Sequence, residues 1–451
     1  MKKLAIGVLS ACALAVAGGL ATSYYIGGKV QESIEHTADT WSSEDGFTVR
    51  VLDYQRGLLS SKAQTLWSFS SEDEPYDITV THDILHGPWP MGKAAKVVSQ
   101  FLLPDDSDPL LLEALQKRAP LEWTVTADWS GETVHTMFSP NFSTNFEDAS
   151  SLTWGGLQAE WTLSAAHDRT QGFVRMPLLR VKVEDGSRMD MEDTEITFDT
   201  HSPEGYSFWV GPTVVKLGLL AVQDAESDAQ LKLHQLQLTA TNTLQDNLVQ
   251  SGLDAHLEQI AANTYSIENL ALQMHFNNIN ATWLDQLMQW MQAGSDVQDM
   301  TWLRSLPQLL AGKPELAITR LSMQSADGPI ALSARIAYTG TNPEAFNPGT
   351  DLEGQLSTSM PVSAMTQLLE SKVRSDYLQL LEQMELDLDE SELQASIDAG
   401  IEKRLKILLE QGVLQKKGDM LDATLIFSGG AFNLNHRSQS LQQLLGIGSA
   451  M

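Results

Sequence analysis

The residues best placed for chemistry are two histidines, His82 and His86, which stand four positions apart. On an α-helix that spacing turns both imidazoles to one side, as a shared metal ion requires. The flanking residues instead alternate between apolar and polar, which predicts a β-strand, as seen at Ile78, Val80 and Ile84. Along a strand the two rings lie ~13 Å apart, so we predict no shared metal site.

Two short segments carry residue types that are typical of functional turns. His86-Gly87-Pro88 ends the predicted strand, and His86 would hydrogen-bond to backbone there. Arg56-Gly57 predicts a hairpin tip at which the glycine adopts a left-handed conformation. Arg56 then either packs and pairs locally or contacts a partner or an anionic group. These five residues are the candidate turn or partner-contact positions.

Patterns that define known enzyme or metal sites do not occur in the sequence. Asp105, Asp106 and Asp108 lack the spacing, the central glycine and the final glutamate of a calcium-binding loop. Asp108, which precedes Pro109, is better explained as a helix N-cap. A G-x-S-x-G nucleophile turn and a phosphate-binding glycine loop are also absent. We therefore predict no catalytic, metal-binding or cofactor-binding residues and no cofactor, and we favour a protein that is not an enzyme.

A stripe of large apolar side chains marks the start of a predicted helical stretch over 282–310. Trp283, Leu287, Trp290 and Met291 fall on one side of that helix. A stripe of this kind packs into a core in most helices. The alternative is that the four side chains line an apolar groove that holds an acyl chain.

The charge balance restricts the partners of this chain. Its 58 acidic residues outnumber its 29 basic residues, which gives a formal net charge of −29. Nucleic acids and anionic lipid surfaces need clustered Lys and Arg, so we predict neither as a partner. The single cysteine, Cys12, excludes an intramolecular disulfide.

The first thirty residues predict a membrane segment. The uncharged run from Leu4 to Ile26 is long enough to span a bilayer, and Lys2 and Lys3 would hold the N-terminus in the cytoplasm. We interpret it as an uncleaved signal anchor, which makes the protein a single-pass inner-membrane protein with its bulk in the periplasm. A cleaved secretory signal with Ala15-Val16-Ala17, and a lipoprotein signal with Leu9-Ser10-Ala11-Cys12, are the alternatives.

The elements that must position these residues are mostly strands. Short strands punctuated by Gly, Asn, Asp and Ser fill 121–276, and helical patterns follow at 363–386 and 390–410. Leu231, Leu233, Leu236 and Leu238 keep a period of two only with one slip, which suits a β-bulge. The predicted fold class is α+β and β-rich: an N-terminal transmembrane helix, then an elongated antiparallel β-meander, with helices in the C-terminal half.

The predicted domains follow from these elements. Residues 1–28 are the signal anchor or transmembrane helix, and 29–280 are a β-rich periplasmic lobe. Residues 281–451 are an α+β periplasmic lobe that is continuous with the first.

Several motifs, in order along the chain, resemble the YdgA/YihF-like family of proteobacterial envelope proteins, whose function is unknown. They are Tyr25-Ile26-Gly27-Gly28-Lys29, the segment 54–61, His86-Gly87-Pro88-Trp89-Pro90, the segment 306–314 and a C-terminal region with Gly430, Leu434 and Asn435. Asn435-His436 departs from the Asn-Gly that is usual in the family. The resemblance implies an envelope location and an architecture, and it implies no catalytic residues.

Together these features favour a membrane-anchored periplasmic protein of the cell envelope that is not an enzyme and that binds a lipid or a protein partner. The inner membrane, reached through the N-terminal helix, is the first expected partner, and homo-oligomerisation stays open. A periplasmic enzyme without a recognised motif and a scaffold of an inner-membrane complex are the alternatives.

Overall fold

Alternation of apolar and polar residues becomes antiparallel strand pairing along most of this chain. The computed structural model describes residues 47–57, 60–69, 76–87, 92–104, 107–227, 229–263, 265–292, 304–384 and 389–439. They fall into two compact units. Unit 1 holds the described residues up to Ser202 together with Gly211–Lys232, and unit 2 holds Pro203–Val210 and the described residues from Leu233 onward.

Unit 1 is an antiparallel sheet with one short helix. Its elements are β1 (Phe47–Arg56), β2 (Ser60–Phe69), β3 (Tyr76–His86), β4 (Ala95–Leu102), α1 (Pro109–Ala114), β5 (Leu121–Ala127), β6 (Thr133–Ser139), β7 (Phe142–Asn145), β8 (Ser151–Trp154), β9 (Leu157–Leu163), β10 (Arg169–Lys182), β11 (Arg188–His201) and β12 (Gly211–Gln223). The Asp108 carboxylate accepts a hydrogen bond from Leu110 N at 2.7 Å, which confirms the predicted cap of α1.

Neighbouring strands of this sheet mostly follow the chain. β1 to β6 pair in sequence, β6 then pairs with β9, and β10, β11 and β12 follow. β8 continues the line of β9 along β10, and β7 pairs with β8. Hairpin connections of this kind are what a chain of short, turn-punctuated strands favours.

A crease crosses the sheet of unit 1 at one level, from the β6–β7 boundary to β12. Pro140 separates β6 from β7, and Gly155-Gly156 separates β8 from β9. On the next two strands, Pro177 and Asp193 lie at the same level, and the regular pairing is interrupted there. Asp193 has a φ of 52°, and Gly218 on β12 lies close beside it, since a Cβ on Gly218 would be 3.0 Å from the Asp193 Cβ. Proline has no N–H for the ladder, and a positive φ bends the strand, so the crease has local causes at Pro140, Gly156, Pro177 and Asp193.

The core of unit 1 lies on one side of the sheet, which we call the inner face. Residues directly opposite one another on neighbouring strands share a face. One such row places Ile84, Val97 and Val125 side by side, and all three are buried. The core also contains Ala63, Trp123, Val49, Trp67 and Val80.

Gly172 sits where β10 joins this core, and its lack of a side chain is structural. A Cβ there would lie 2.3 Å from the Glu160 carbonyl oxygen and 2.4 Å from the Trp161 Cβ. We expect Gly172→Ala to lower the free energy of unfolding of unit 1 by about 2 kcal/mol, because β9 and β10 must separate locally. Urea titration followed by tryptophan fluorescence measures the change. Gly349→Ala, in unit 2, serves as a control because its Cβ would meet only a side-chain oxygen, at 3.3 Å. Equal midpoints for Gly172→Ala and the wild type would contradict the expectation.

Unit 2 combines long strands with most of the helices. Its elements are β13 (Gln230–Gln245, from Leu233 onward), β14 (Leu248–Ala262), β15 (Tyr265–Asn280), α2 (Ala281–Gln292), α3 (Leu306–Ala311), β16 (Glu315–Ser325), β17 (Gly328–Tyr338), α4 (Pro348–Asp351), β18 (Leu352–Pro361), α5 (Val362–Met384), α6 (Glu390–Glu410), β19 (Gln415–Lys417), β20 (Met420–Ser428), β21 (Ala431–Leu434) and β22 (Arg437–Gln439). β14 to β18 pair in sequence, and β20 pairs with β18. The predicted hairpin of β16 with β17 is confirmed.

Helices α5 and α6 pack against each other and against the end of this sheet. Leu369 and Val373 of α5 meet Leu393, Ile397 and Ile401 of α6 in one buried cluster. A second cluster joins the end of α6 to β20 and β21 through Leu408, Val413, Leu414, Leu421 and Leu434. The Asp389 carboxylate accepts from Glu392 N at 2.8 Å and caps α6.

The β-rich, antiparallel part of the predicted fold is confirmed, but the transmembrane helix is not. In the part of the chain that the structure describes, no helix is both long enough and apolar enough to cross a membrane. The two longest, α5 and α6, carry charged residues throughout, including Lys372, Arg374 and Asp376. The segment from Leu4 to Ile26, on which the signal anchor and the single-pass inner-membrane location rested, lies outside the described residues. Both the signal anchor and the single-pass inner-membrane location depend on the transmembrane helix, so these two predictions are corrected together with it.

Candidate functional site

The predicted turn at Arg56 and Gly57 forms as a hairpin between β1 and β2. Gly57 N donates to Ser60 O at 2.9 Å. The left-handed conformation predicted for Gly57 is wrong, because its φ lies outside that region. Glycine is required for a different reason: a Cβ would lie 2.3 Å from Ser60 O. Arg56 stands opposite Ser61 and is exposed.

His86 ends β3 inside the core and is not at the surface. Its side chain is buried, and its Nε2 lies 3.2 Å from Ser61 Oγ. Gly87 N donates to Ala94 O at 2.7 Å, which closes the turn as predicted. Pro88, Asp105 and Asp106 lie outside the described residues. The hydroxyl partner of His86 was not foreseen, because Ser61 lies 25 positions away in the sequence.

Three histidines on the inner face form a polar cluster with hydroxyl side chains. His82 lies between two of them, with Nε2 at 2.9 Å from Thr65 Oγ1 and Nδ1 at 2.8 Å from Ser99 Oγ. The Trp67 indole N–H also donates to Thr65 Oγ1, at 3.0 Å. The remaining members are His86 with Ser61, and His135 with Thr133.

Aromatic contacts extend the polar cluster toward β9 and β10. The His135 ring stacks on Trp161, with centroids 5.0 Å apart and planes 4° apart. Trp123 lies near both rings, 5.9 Å from His135 and 6.3 Å from Trp161. The register explains the arrangement, because His135 stands directly opposite Trp161 and Trp161 directly opposite Gly172.

Burial keeps the imidazoles of His82 and His135 neutral. Desolvation lowers the pKa of His82 to about 4. Desolvation and, to a lesser degree, the charge of His167 lower the pKa of His135 to about 3. The ring nitrogens of His82 are both occupied by hydroxyls, and no carboxylate is among their partners. Within the described ranges, no three His, Cys, Asp or Glu side chains come together as a metal site would require.

The two lowered pKa values predict a loss of stability in mild acid. The folded values lie below the value of ~6.5 for an unfolded chain, so the unfolded state binds more protons as the pH falls below ~6.5. We expect the free energy of unfolding of unit 1 to fall between pH 6.5 and pH 5 by up to ~1.4 kcal/mol per pH unit for each histidine. Urea titrations at pH 7, 6 and 5 measure the slope. In His135→Phe, which keeps a ring beside Trp161, the slope should decrease by about one proton. An identical slope in both proteins would refute the assignment.

The inner face is buried between β2 and β6, whereas from β10 to β12 it is an apolar surface that stays partly exposed. Three rows of directly opposed residues cross β10, β11 and β12: Val174–Ile196–Val215, Leu179–Met191–Leu220 and Val181–Met189–Val222. We call these nine side chains the open inner face. Eight of them are half-buried, and Val222 is 40% exposed. Unlike the rows between β2 and β6, these rows contain no fully buried residue.

The crease keeps these rows on one side of the sheet. In a regular strand, positions 174 and 179 would face opposite sides. Leu179 stands opposite Trp154, whose indole N–H donates to Ser139 Oγ at 2.8 Å. Ser139 stands opposite Leu157, two residues from Ala159, and Ala159 stands opposite Val174. On β10, the apolar residues of the inner face therefore have even numbers before the crease and odd numbers after it.

The other side of the same three strands carries the charges. Arg175 pairs with Glu195 at 3.0 Å, and Arg180 pairs with Asp190 at 2.8 Å and Glu192 at 3.2 Å. The Arg175 guanidinium also lies 4.6 Å from the centre of the Phe173 ring. The sheet thus has one charged side and one apolar side, and both contact solvent.

Unit 2 repeats this distribution on its own sheet. Met274, Ile318, Ala334, Leu356 and Leu425 stand in one row across five strands. At the β20 end the row is covered, since Leu425 packs with α5 and α6 residues. Farther from that end it is open, and Leu356 is 40% exposed.

The stripe on α2 is divided between core and surface. Trp283 is 7% exposed and packs with Phe208, Val210, Val249 and Ile279, and Leu287 lies against the same cluster. The Trp283 indole donates to Ser305 Oγ at 3.0 Å. Trp290 is half-buried, whereas Met291 is 55% exposed. The groove that the four residues would line stays a prediction.

Comparison with known proteins gives one match. The model of a family described as "Bacterial protein of unknown function (DUF945)" matches residues 1–442. The chain belongs to this DUF945 family. No curated protein and no solved structure matches the chain. Membership of DUF945 therefore gives a bacterial family without assigning an activity to the polar cluster or to the open inner face.

Proposed function

We propose that this DUF945 protein binds the acyl chains of lipids on the open inner face of unit 1 and does not transform them chemically. The observation that supports the proposal is the set of three complete apolar rows across β10, β11 and β12, none of which is fully buried. Aliphatic and thioether side chains left in contact with water mark a binding surface, because covering them stabilises the complex by ~25 cal/mol per Å².

The composition of this face favours a hydrocarbon chain over a peptide. All nine side chains are Val, Leu, Ile or Met, and none can hydrogen-bond strongly to a backbone amide. A peptide laid across them would leave its amides unpaired, at a cost of roughly 1–3 kcal/mol each. An acyl chain has no such groups. Met189 and Met191 have flexible side chains that adapt to a guest of variable shape.

The dimensions of the face also suit an extended chain. From Val174 to Val181, seven residue steps along β10 make ~23 Å. The other two strands of the face, β11 and β12, add ~5 Å of width each. The open rows of unit 2, with Leu316, Ile336 and Leu356 all partly exposed, offer a second surface of the same kind.

Native mass spectrometry of the full chain tests this function. We expect the protein, purified without detergent, to carry co-purifying acyl species that solvent extraction removes and added lipid restores. A lipid-free spectrum before extraction, together with no uptake of added lipid afterwards, would overturn the proposal. A specific protein in place of lipid in the same spectrum would favour a protein partner.

We also propose that the chain belongs to the YdgA/YihF-like branch of DUF945. The motifs at 54–61, 86–90 and 306–314 support this assignment, together with Gly430 and Asn435. Genuine YdgA-like or YihF-like sequences should match these positions more closely than other DUF945 members do, and a family tree that separates them from this chain would refute the assignment.

A further inference from the structure

Two buried nitrogens of the inner face lack a hydrogen-bond partner among the described residues. They are Trp123 Nε1 and His135 Nδ1. Trp123 is 5% exposed and His135 is fully buried. A buried polar group without a hydrogen-bond partner costs roughly 1–3 kcal/mol. A ligand that brings a polar atom to these two nitrogens would recover that cost.

The two nitrogens differ in what they can bind. The indole N–H of Trp123 only donates. His135 is neutral, and its Nε2 lies 2.8 Å from Thr133 Oγ1, so Nδ1 donates when the Thr133 hydroxyl donates to Nε2 and accepts otherwise. An ester carbonyl satisfies two donors, and a hydroxyl satisfies either tautomer. The two rings are neighbours, with centroids 5.9 Å apart, so the two nitrogens belong to one site.

This pair lies next to the open inner face. Trp161 stacks on His135 and stands opposite Gly172, which is two residues from Val174 on β10. Trp161 is half-buried, whereas Trp123 and His135 are not accessible. Displacement of the Trp161 ring would open a path from the apolar rows to the two nitrogens.

On the strands around the aromatic rings, β4, β5, β6 and β9, the inner face carries no ionisable group other than His135. Its positions on the strands flanking the aromatic rings are Ala95, Val97, Ser99 and Phe101 on β4, Leu121, Trp123, Val125 and Ala127 on β5, and Leu157, Ala159, Trp161 and Leu163 on β9. A carboxylate or phosphate placed there would be desolvated with no cation to pair with. An uncharged ester or hydroxyl meets a much smaller desolvation cost, which two hydrogen bonds offset.

We infer that the lipid bound by unit 1 is uncharged, and that one ester or hydroxyl oxygen of it hydrogen-bonds to Trp123 Nε1 and His135 Nδ1. This inference rests on the proposed acyl-chain binding and adds the class of lipid. Long-chain esters and alcohols such as monoacylglycerols fit, whereas fatty-acid anions and phospholipid headgroups must keep their charges outside the inner face.

Three ligands with the same chain length separate the two proposals. They are 1-monooleoylglycerol, oleate and octadecene, each added from cyclodextrin to the full-length protein labelled with 15N at its tryptophan indoles. We expect monooleoylglycerol to move the Trp123 indole resonance downfield and to bind at least about tenfold more tightly than octadecene, which leaves that resonance in place. Loss of the resonance in Trp123→Phe assigns it.

The outcomes are distinct. If none of the three ligands binds, the proposed function fails. If octadecene or oleate binds as tightly as monooleoylglycerol, or if the indole resonance does not move, the acyl-chain proposal stands and the inference of an uncharged lipid is wrong. In Trp123→Phe the preference for monooleoylglycerol over octadecene should fall by about threefold or more, because only the hydrogen bond to His135 Nδ1 remains. Should that variant not fold, the resonance shift in the wild-type protein decides alone.

Discussion

We expect that replacing Ile196 by lysine weakens the proposed acyl-chain binding by unit 1 about a hundredfold or more, while the same replacement at Thr197 changes it less than about twofold. Ile196 stands at the centre of the row with Val174 and Val215. An ammonium there would have to be desolvated under the bound chain or displace it, at a cost of at least ~3 kcal/mol. Thr197 is the next residue on β11, opposite Phe173 on the charged side.

The pair is matched because both positions are half-buried and both variants gain the same charge. Binding of monooleoylglycerol, measured by displacement of a fluorescent fatty alcohol, gives the two affinities. Circular dichroism spectra identical to that of the wild type show that each variant is folded. Equal weakening by both variants would mean that the inner and outer sides of β11 do not differ in function, and would contradict the account.

The second large effect concerns stability. Leu369→Ala should destabilise the α5–α6 pair by about 3 kcal/mol, whereas Leu368→Ala should cost less than ~0.5 kcal/mol. Leu369 is 7% exposed within the cluster that contains Val373, Leu393 and Ile397, and its truncation leaves a cavity. Leu368 is 62% exposed and adjacent in sequence, so it loses little on truncation.

Hydrogen exchange measures this difference locally. The chain has two units, so a single global midpoint does not report on α5 and α6 alone. We expect amides in both helices to exchange about a hundredfold faster in Leu369→Ala than in the wild type, and at nearly wild-type rates in Leu368→Ala. Similar exchange in the two variants would show that the α5–α6 cluster does not hold the helices in place.

The sequence predicts strands and hairpins well, because alternation and turn residues act locally. His82 was placed on a strand, and Asp108 at a helix cap, from their immediate neighbours alone, and the structure has both there. The slip among the leucines of β13 was also visible as a change of period. Gln235, between the two halves of the slip, has a φ of 54°, as a bulge in the strand requires.

The open inner face could not be read from the sequence, although a related signal was present. On β10 the apolar positions move from even to odd numbers at Pro177, which in isolation predicts a broken strand. The meaning appears only when Asp193 and Gly155-Gly156 are found at the same level on neighbouring strands. Register between strands depends on pairing over long sequence distances, so one strand does not reveal a face shared by three.

The polar cluster was missed for a similar reason. Ser61, Thr65 and Ser99 have no local pattern that links them to histidines. His82 joins the last two only because β2, β3 and β4 pair in one particular register. Reasoning from sequence placed His82 and His86 on a strand, as the structure has them, but it did not foresee that His86 is buried beside Ser61.

Photo-crosslinking tests the central claim most directly. A monooleoylglycerol analogue with a diazirine in its acyl chain, bound to the full-length protein and activated by light, marks the residues that the chain touches. We predict that peptide mass spectrometry finds the adducts of unit 1 on the open inner face, at Met189, Met191 and Leu220 in particular, and none at Arg175, Glu195 or Lys216 on the charged side of the same strands. Adducts spread equally over both sides, or absent from β10, β11 and β12, would contradict the account.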